Sequence, residues 1–322
     1  MGRLVETAHA KINLALDVGE VRPDGYHEIH SVMQSLELRD IVELEDRPAG
    51  ISIQCLPGHP TKQGALCFAG CHPDPMPSSD PQNLAWQAAA RLIDATGVHR
   101  GLQITIRKAI PLSSGLAGGS ADAAAVLRGL NHLWSLGLGL EELMAIGAKI
   151  GADVPFCLLQ GTAEVRGIGE ILTPLQALPP WPVILLKPPL AVSTAACYEG
   201  YDKLPHPVRV DVDTLVGVLI EEDLEKVAGH MGNSLEAVTL QTSPDLLHWK
   251  KTMEKAGPLG VLMSGSGPTL FGLVRDEGHG HEVFAQLVSV IKQERQRPLP
   301  NLYFTRLWAD KQCETVRRRR NW

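Results

Sequence analysis

Apolar and polar residues alternate through residues 4–18, where Ala10, Ile12, Leu14 and Leu16 fall on one side of an extended chain. A period of two predicts a β-strand. The polar stretch Arg22-Pro-Asp-Gly-Tyr26 predicts a turn, and residues 29–45 are again apolar and β-rich. Residues 47–81 change character. Pro, Gly, Ser and Cys crowd there with little periodicity beyond Ile51 and Ile53, which predicts a long loop or small insertion. The period then becomes helical over 82–95, with Leu84, Ala88, Leu92 and Ala95 on one face and Gly97 as the stop. A strand is predicted over 101–109, where Leu102, Ile104 and Ile106 alternate, and helices over 120–134 and 140–150. Residues 162–175 read as a strand running into a domain junction, and 181–187 as a buried strand. Helices are predicted over 215–237 and 244–256, then strand, Ser-Gly-Ser-Gly turn and strand over 261–274, a last helix over 281–292 and a final strand over 302–307. This irregular order predicts an α+β fold rather than a doubly wound parallel sheet.

Composition narrows the picture. The 322 residues suffice for two domains, and 44% hydrophobic with 20% charged residues is ordinary for a soluble globular protein. A formal charge of -6 argues against a general nucleic-acid binder, while leaving room for a local cation cluster facing a phosphorylated ligand. No apolar run is long enough to predict a membrane span, and the first residues lack a signal-peptide pattern. Six scattered cysteines read as free thiols, so a cytoplasmic location is expected. Cys67, Cys71 and His72 cluster without the paired spacing of a zinc site, and no metal site is expected from them. Residues 317–320 are four arginines that read as a solvated end.

The strongest chemical signal is Pro111-Leu-Ser-Ser-Gly-Leu-Ala-Gly-Gly-Ser120, which follows a predicted strand and opens a predicted helix. A helix N-terminus presents unpaired N–H groups and a partial positive charge, so phosphate fits there. Gly115, Gly118 and Gly119 let the backbone turn and approach a ligand, and Ser113, Ser114 and Ser120 add hydroxyls, Ser120 within possible reach of a metal. The bland alternative is a glycine-rich turn with a Ser cap. The segment is neither a Walker A loop, since no Gly-Lys-Ser/Thr ends it, nor the dinucleotide fingerprint.

Three segments in order resemble the GHMP kinase superfamily: Ala10-Lys-Ile-Asn-Leu-Ala-Leu16, the glycine loop, and Leu262-Met-Ser-Gly-Ser-Gly-Pro-Thr-Leu-Phe271. Within it, Lys11-Ile-Asn13 with Arg22-Pro-Asp-Gly-Tyr-His27, Gly151-Ala-Asp-Val-Pro-Phe156, and Ser193-Thr194 with Tyr198 are similar to the members that phosphorylate a cytidylated sugar alcohol. The resemblance implies two α+β domains, over 1–175 and 176–322, with the active site in the cleft between them and a ribosomal-protein-like fold in the first. It implies ATP with Mg²⁺ as cofactors and a small-molecule cytidylated substrate; the charge of -6 and the lack of a long apolar run predict no nucleic-acid and no membrane partner.

It also distributes roles. Asp153 is the expected catalytic base, although an Asp after Gly-Ala is commonly a turn or cap residue. Lys11 is expected beside it, stabilising charge on the reacting groups, the alternative being a strand lysine facing water. Asn13, two residues on, shares the face of Lys11 and is expected on the substrate hydroxyls. Tyr26, His27 and Tyr198 are expected around the cytosine, with Thr194 alongside; a structural aromatic is the alternative for Tyr198. On the nucleotide side stand Lys108, Asn83 and the loop residues Pro111, Ser113, Ser114, Gly115, Leu116, Ala117, Gly118, Gly119 and Ser120. Lys108 reads equally as an exposed strand-end lysine. Gly265, Ser266 and Gly267 are expected to close a second turn over the phosphate loop, by ligand contact or by packing. The chain departs from the family pattern in having Ala117 where Gly is usual, Ser234 where Asp is usual, and a longer stretch over 47–81. Another superfamily kinase, a non-catalytic nucleotide-binding regulator and an RNA-binding module are the rival readings.

Overall fold

Two long strands, β1 (Arg3–Val21) and β2 (His27–Arg47), pair antiparallel from Arg3 opposite Glu45 to Val21 opposite His27. β1 is buried on both faces from Ala8 to Val18. Its alternation puts Ala10, Ile12 and Leu14 into the main core and turns Lys11 and Asn13 the other way. This computed structural model describes residues 2–68 and 76–308. Cys71, His72, Cys313 and the arginines at 317–320 lie outside the described residues.

The stretch over 47–81 is more ordered than its composition suggests. It holds β3 (Ile51–Pro57), a 3₁₀ turn at Pro60–Lys62 and β4 (Leu66–Phe68). β3 is followed through α1 (Leu84–Thr96) by β5 (Gly101–Lys108), with which it pairs in parallel. Asn83 caps α1, accepting from the Ala85 amide at 3.0 Å, and Gly97 ends it in the left-handed conformation (φ 67°). The phosphate-loop candidate leads from β5 into α2 (Gly118–Leu133), whose alanines let it lie close on the sheet. Next come α3 (Leu140–Ala148), the short α4 (Val154–Leu159), β6 (Thr162–Arg166) and β7 (Ile171–Pro174).

A second layer begins at β8 (Pro182–Lys187), all six of whose residues are buried. The rest of the chain comprises α5 (Thr194–Asp202), α6 (Val212–Leu219), α7 (Leu224–His230), β9 (Gly232–Asn233), α8 (Glu236–Thr242), α9 (Pro244–Lys255), β10 (Gly260–Met263), β11 (Leu270–Leu273), α10 (Glu277–Gln293) and β12 (Asn301–Arg306). The single helix expected over 215–237 is therefore broken. Asp223 caps a new helix by accepting from Glu225 and Lys226, and Gly232–Asn233 is drawn out to pair with Ala15 and Leu16.

The first sheet runs β3-β5-β2-β1-β9, with β6 on β2 and β7 on β6; the second runs β10-β11-β8-β12-β4. Each sheet thus takes one short strand from the far part of the chain. β4 adds to β12 (Leu302 opposite Phe68), and β9 adds to β1. These exchanges tie the two α+β layers together, and Asn233 of β9 also donates to the Met263 and Gly265 carbonyls (2.8 and 2.7 Å).

Candidate active site

The loop before α2 is shaped by residues outside it. The Ser264 hydroxyl donates to the Gly115 carbonyl (2.9 Å), the Thr269 amide to the Ser114 carbonyl (3.2 Å), and the Lys11 amide to the Leu116 carbonyl (3.1 Å). Gly115 sits at φ +76°, and a Cβ there would stand 2.3 Å from the Ser264 carbonyl oxygen. Only glycine allows that approach. Ala117 precedes the helix at φ +57° and gives no side-chain cap. The first-turn amides of Gly118, Gly119 and Ser120 are therefore left for a ligand, beside the positive end of the helix.

These amides face a cavity of about 580 Å³. Asp153 lines the same cavity, and its side chain makes no capping bond to α4 although it occupies the cap position. Its Oδ1 lies 3.7 Å from Lys11 Nζ. The Lys11 side chain is 5% exposed and that of Asp153 is 32% exposed, so the ammonium is held from below while the carboxylate opens to the cavity. Lys11 Nζ also donates to Asn13 Oδ1 (2.8 Å), Asn13 Nδ2 to the Ser31 hydroxyl (2.9 Å), and that hydroxyl to the Ala15 carbonyl (2.6 Å). This chain fixes the orientation of Asn13 and of the lysine. Such an arrangement can orient an acceptor hydroxyl, take its proton and balance the charge that develops.

The second layer supplies the opposite wall. Thr194 Oγ1 lies 3.0 Å from Ser266 Oγ, joining the start of α5 to the turn at Gly265–Gly267. Tyr198, one turn along α5, lines the cavity, and burial pushes its phenol up. The His27 ring is 4.9 Å from the Tyr198 ring, and His27 Nε2 lies 2.7 Å from Asp202 Oδ1. Leu16, Ile29, Met33 and Leu235 form an apolar wall that sequence patterning does not announce, because its members come from three separate elements and look like ordinary core.

Of the residues expected on sequence grounds, Lys11, Asn13, Asp153, Pro111, Ser113, Ser114, Gly115, Ala117, Gly118, Gly119, Ser120, Thr194, Tyr198, Gly265, Ser266 and Gly267 all line this cavity. Others do not. The Leu116 side chain is fully buried in the core, so only its backbone serves the loop. Asn83 is turned to α1 and to the Ser78 carbonyl (2.9 Å). Tyr26 is 61% exposed and His27 backs Tyr198, neither reaching the cavity lining. Lys108 is not an exposed strand-end lysine. It is buried beneath the loop between Asp40 and Asp122, with Asp122 Oδ2 at 2.5 Å. Asp122 carries a signal that sequence reasoning passes over, a carboxylate at the head of an alanine-rich helical run, whereas Asp40 is hidden among the other charged residues of 37–46. Among the described residues, His30, Glu164 and Asp213 form one group of possible metal ligands away from this cavity, and Arg166 bonds both carboxylates (2.8 and 3.3 Å).

A strand–glycine turn–helix cradle and a Lys–Asp pair lining one cavity define a small-molecule phosphotransferase of the GHMP type. The sequence matches the GHMP kinases N terminal domain over residues 83–161 and the GHMP kinases C terminal domain over residues 215–293. A 4-diphosphocytidyl-2-C-methyl-D-erythritol kinase of Geobacillus thermodenitrificans (strain NG80-2) is 45% identical over 282 residues, covering 88% of this chain and 92% of the relative. Another, of Alkaliphilus metalliredigens (strain QYMF), is 40% identical over 306 residues, covering 94% and 98%. A crystal structure of 4-(cytidine 5'-diphospho)-2C-methyl-D-erythritol kinase superposes with a TM-score of 0.73 at 31% identity, over 94% of this chain and 99% of that one. A homoserine kinase from Cytophaga hutchinsonii shares the fold, with a TM-score of 0.72 at 20% identity over 95% of each chain. The chain belongs to the GHMP kinases and, among them, to the 4-diphosphocytidyl-2-C-methyl-D-erythritol kinase family.

Proposed function

We propose that this chain transfers the γ-phosphoryl group of ATP directly to the 2-hydroxyl of 4-diphosphocytidyl-2-C-methyl-D-erythritol, giving the 2-phosphate and ADP in the non-mevalonate route to isoprenoids. The observation that carries this reading is the Lys11–Asp153 pair at 3.7 Å in the same cavity as the uncapped N-terminus of α2. Family membership supplies the acceptor.

In this reading the amides of Gly118, Gly119 and Ser120 hold the ATP phosphates without a side-chain charge. Asp153 orients the acceptor hydroxyl and takes its proton as the new P–O bond forms and the bond to the ADP oxygen breaks. Lys11, fixed by Asn13, stabilises negative charge on the attacking oxygen and the transferred group. Asn13 holds a neighbouring hydroxyl. The donor set suits the magnesium that accompanies ATP: the Ser120 hydroxyl lies beside Gly151, two residues before the cavity-facing Asp153 carboxylate, and both are hard oxygen donors. Magnesium when bound neutralises phosphoryl oxygens. Tyr198 offers a face for the cytosine, with His27 bracing it from behind rather than reading the base edge, and Thr194 and Ser266 close the acceptor side. Residues 1–175 then carry ATP and the reacting groups, while 176–322 carry the acceptor wall. A cytoplasmic location fits the free thiols expected there.

The test is ATP consumption by purified protein with the cytidylated acceptor, homoserine, mevalonate or galactose. Turnover with the cytidylated acceptor alone is expected. Turnover with one of the others instead keeps the kinase and removes the cytosine site; ATP binding with no turnover on any acceptor points to a nucleotide-binding regulator.

A further inference from the structure

Three elements converge under the phosphate loop at one buried lysine. Lys108 ends β5; its Nζ bonds Asp40 from β2 and Asp122 Oδ2 (2.5 Å) from the first turns of α2. Asp40, Lys108 and Asp122 are 0%, 9% and 2% exposed. The second oxygen of Asp40 accepts the amides of Ala109 (2.5 Å) and Ile110 (2.9 Å), the residues that carry the chain from β5 into the loop. The lysine lies directly behind the opening of the helix, since a Cβ on Gly118 would stand 3.5 Å from its Nζ. One limb of the loop is therefore bonded to Asp40, the other carries Asp122, and Lys108 joins the two.

Core stability alone gives no reason for this cluster. Buried ion groups are commonly replaceable by apolar residues without loss of stability. A second carboxylate on a single lysine adds an excess buried acid, and Asp122 Oδ1 has no hydrogen-bond partner. We propose that Asp40, Lys108 and Asp122 are positioning residues that set the spacing between the two limbs of the phosphate loop, and so the aim of the α2 amides at the ATP phosphates. This rests on the reading of that loop as the ATP site. Burial raises the Asp122 carboxyl, and the carboxylates of Asp122 and Asp40 raise the Lys108 ammonium against the opposing effect of its own burial. Cys55 and Cys157 are titratable groups that also feel the charge of the cluster, Cys55 that of all three members and Cys157 that of Asp122.

The test uses Asp122→Leu and Asp122→Asn in the full chain. Asp122→Leu cuts the lysine from α2 while leaving the Lys108–Asp40 pair balanced; Asp122→Asn keeps a hydrogen-bond acceptor for the lysine. ADP affinity is read by titration calorimetry, stability by urea unfolding, and KM separately for ATP and acceptor. For Asp122→Leu, unchanged or higher stability is expected with at least about tenfold weaker ADP binding and acceptor KM within about twofold of wild type. For Asp122→Asn, ADP binding within about threefold of wild type is expected. ADP binding by Asp122→Leu within threefold of wild type overturns the proposal, as does an equal loss of acceptor affinity. If the leucine variant does not fold, Asp122→Ala cuts the same link and carries the same expectations and refutations. Because ADP affinity needs no turnover, a wild-type protein that binds ADP but fails to phosphorylate the acceptor defeats the kinase reading separately.

Discussion

Replacing Gly115 by Ala tests whether the phosphate loop and the Ser264 turn are built as one unit. The new Cβ would meet the Ser264 carbonyl oxygen at 2.3 Å and the Gly267 carbonyl oxygen at 3.1 Å, both backbone atoms that cannot rotate away. Ordinary contact begins at 3.4 Å, so the loop must retreat by about 1 Å. Retreat loosens the Ser264–Gly115 hydrogen bond, worth about 1 kcal/mol, and alanine at φ +76° adds about 1–2 kcal/mol of its own. The sum is a destabilisation of about 2–3 kcal/mol, small enough for the chain to remain folded. A displacement of this size at a site that works by aligned amides costs about a hundredfold in turnover. Gly25→Ala is the control: its φ is +84° but nothing lies within 4 Å, so it carries the backbone strain without the collision. Urea unfolding and ADP titration calorimetry should show Gly25→Ala losing about 1–2 kcal/mol of stability with unchanged ADP affinity, and Gly115→Ala losing more of both. Equal losses in the two variants, with ADP affinity kept in both, would refute the account of the loop.

The other predictions concern chemistry, recognition and pH. Asp153→Ala should lower kcat by about 10²–10⁴-fold while ADP affinity changes less than about threefold, because the carboxylate faces the acceptor and not the α2 amides; unchanged turnover in that variant removes Asp153 from the mechanism. Tyr198→Leu should raise KM for the cytidylated acceptor by about tenfold and leave KM for ATP alone, and equal shifts in both would count against a base-stacking role. Burial lowers the His9 imidazole from 6.5 to about 4, with the Leu36 carbonyl acting against it and Arg39 and Arg128 adding to it. Since the folded value is the lower one, protons bind the unfolded chain first, so the His9 contribution is complete above about pH 6.5 and is lost as pH falls towards 4. Between pH 7 and pH 5 the wild type should lose about 2 kcal/mol more than His9→Gln in urea unfolding, and parallel pH dependence in the two would contradict this.

What could be read from sequence was whatever repeats locally. The period of two in β1 put Lys11 and Asn13 on one face, and the glycines, serines and alanines around Gly118 announced a strand–turn–helix cradle before any fold was known. The errors share a physical origin. β4 and β9 have three and two residues, too few for a period, and exist because distant strands offer them hydrogen bonds. α4 and α5 are short, and their residues served as motif letters in the sequence rather than as helices. Lys108 was read as a ligand contact or a surface residue because its partner Asp40 lies 68 positions earlier. Tyr26 and His27 follow the family pattern in sequence; sequence gives no sign that Tyr26 stands 61% exposed, or that the His27 ring packs 4.9 Å from that of Tyr198.

The central claim is transfer of a phosphoryl group from ATP to a hydroxyl of the cytidylated acceptor, with Asp153 taking the proton. Phosphorus NMR of the reaction mixture reads this directly. With wild-type protein, magnesium, ATP and 4-diphosphocytidyl-2-C-methyl-D-erythritol, a new phosphomonoester resonance should grow in step with ADP while the diphosphate resonances of the acceptor persist, and with Asp153→Ala it should be nearly absent. Orthophosphate appearing in place of the monoester, or a monoester formed equally well by Asp153→Ala, would contradict the account.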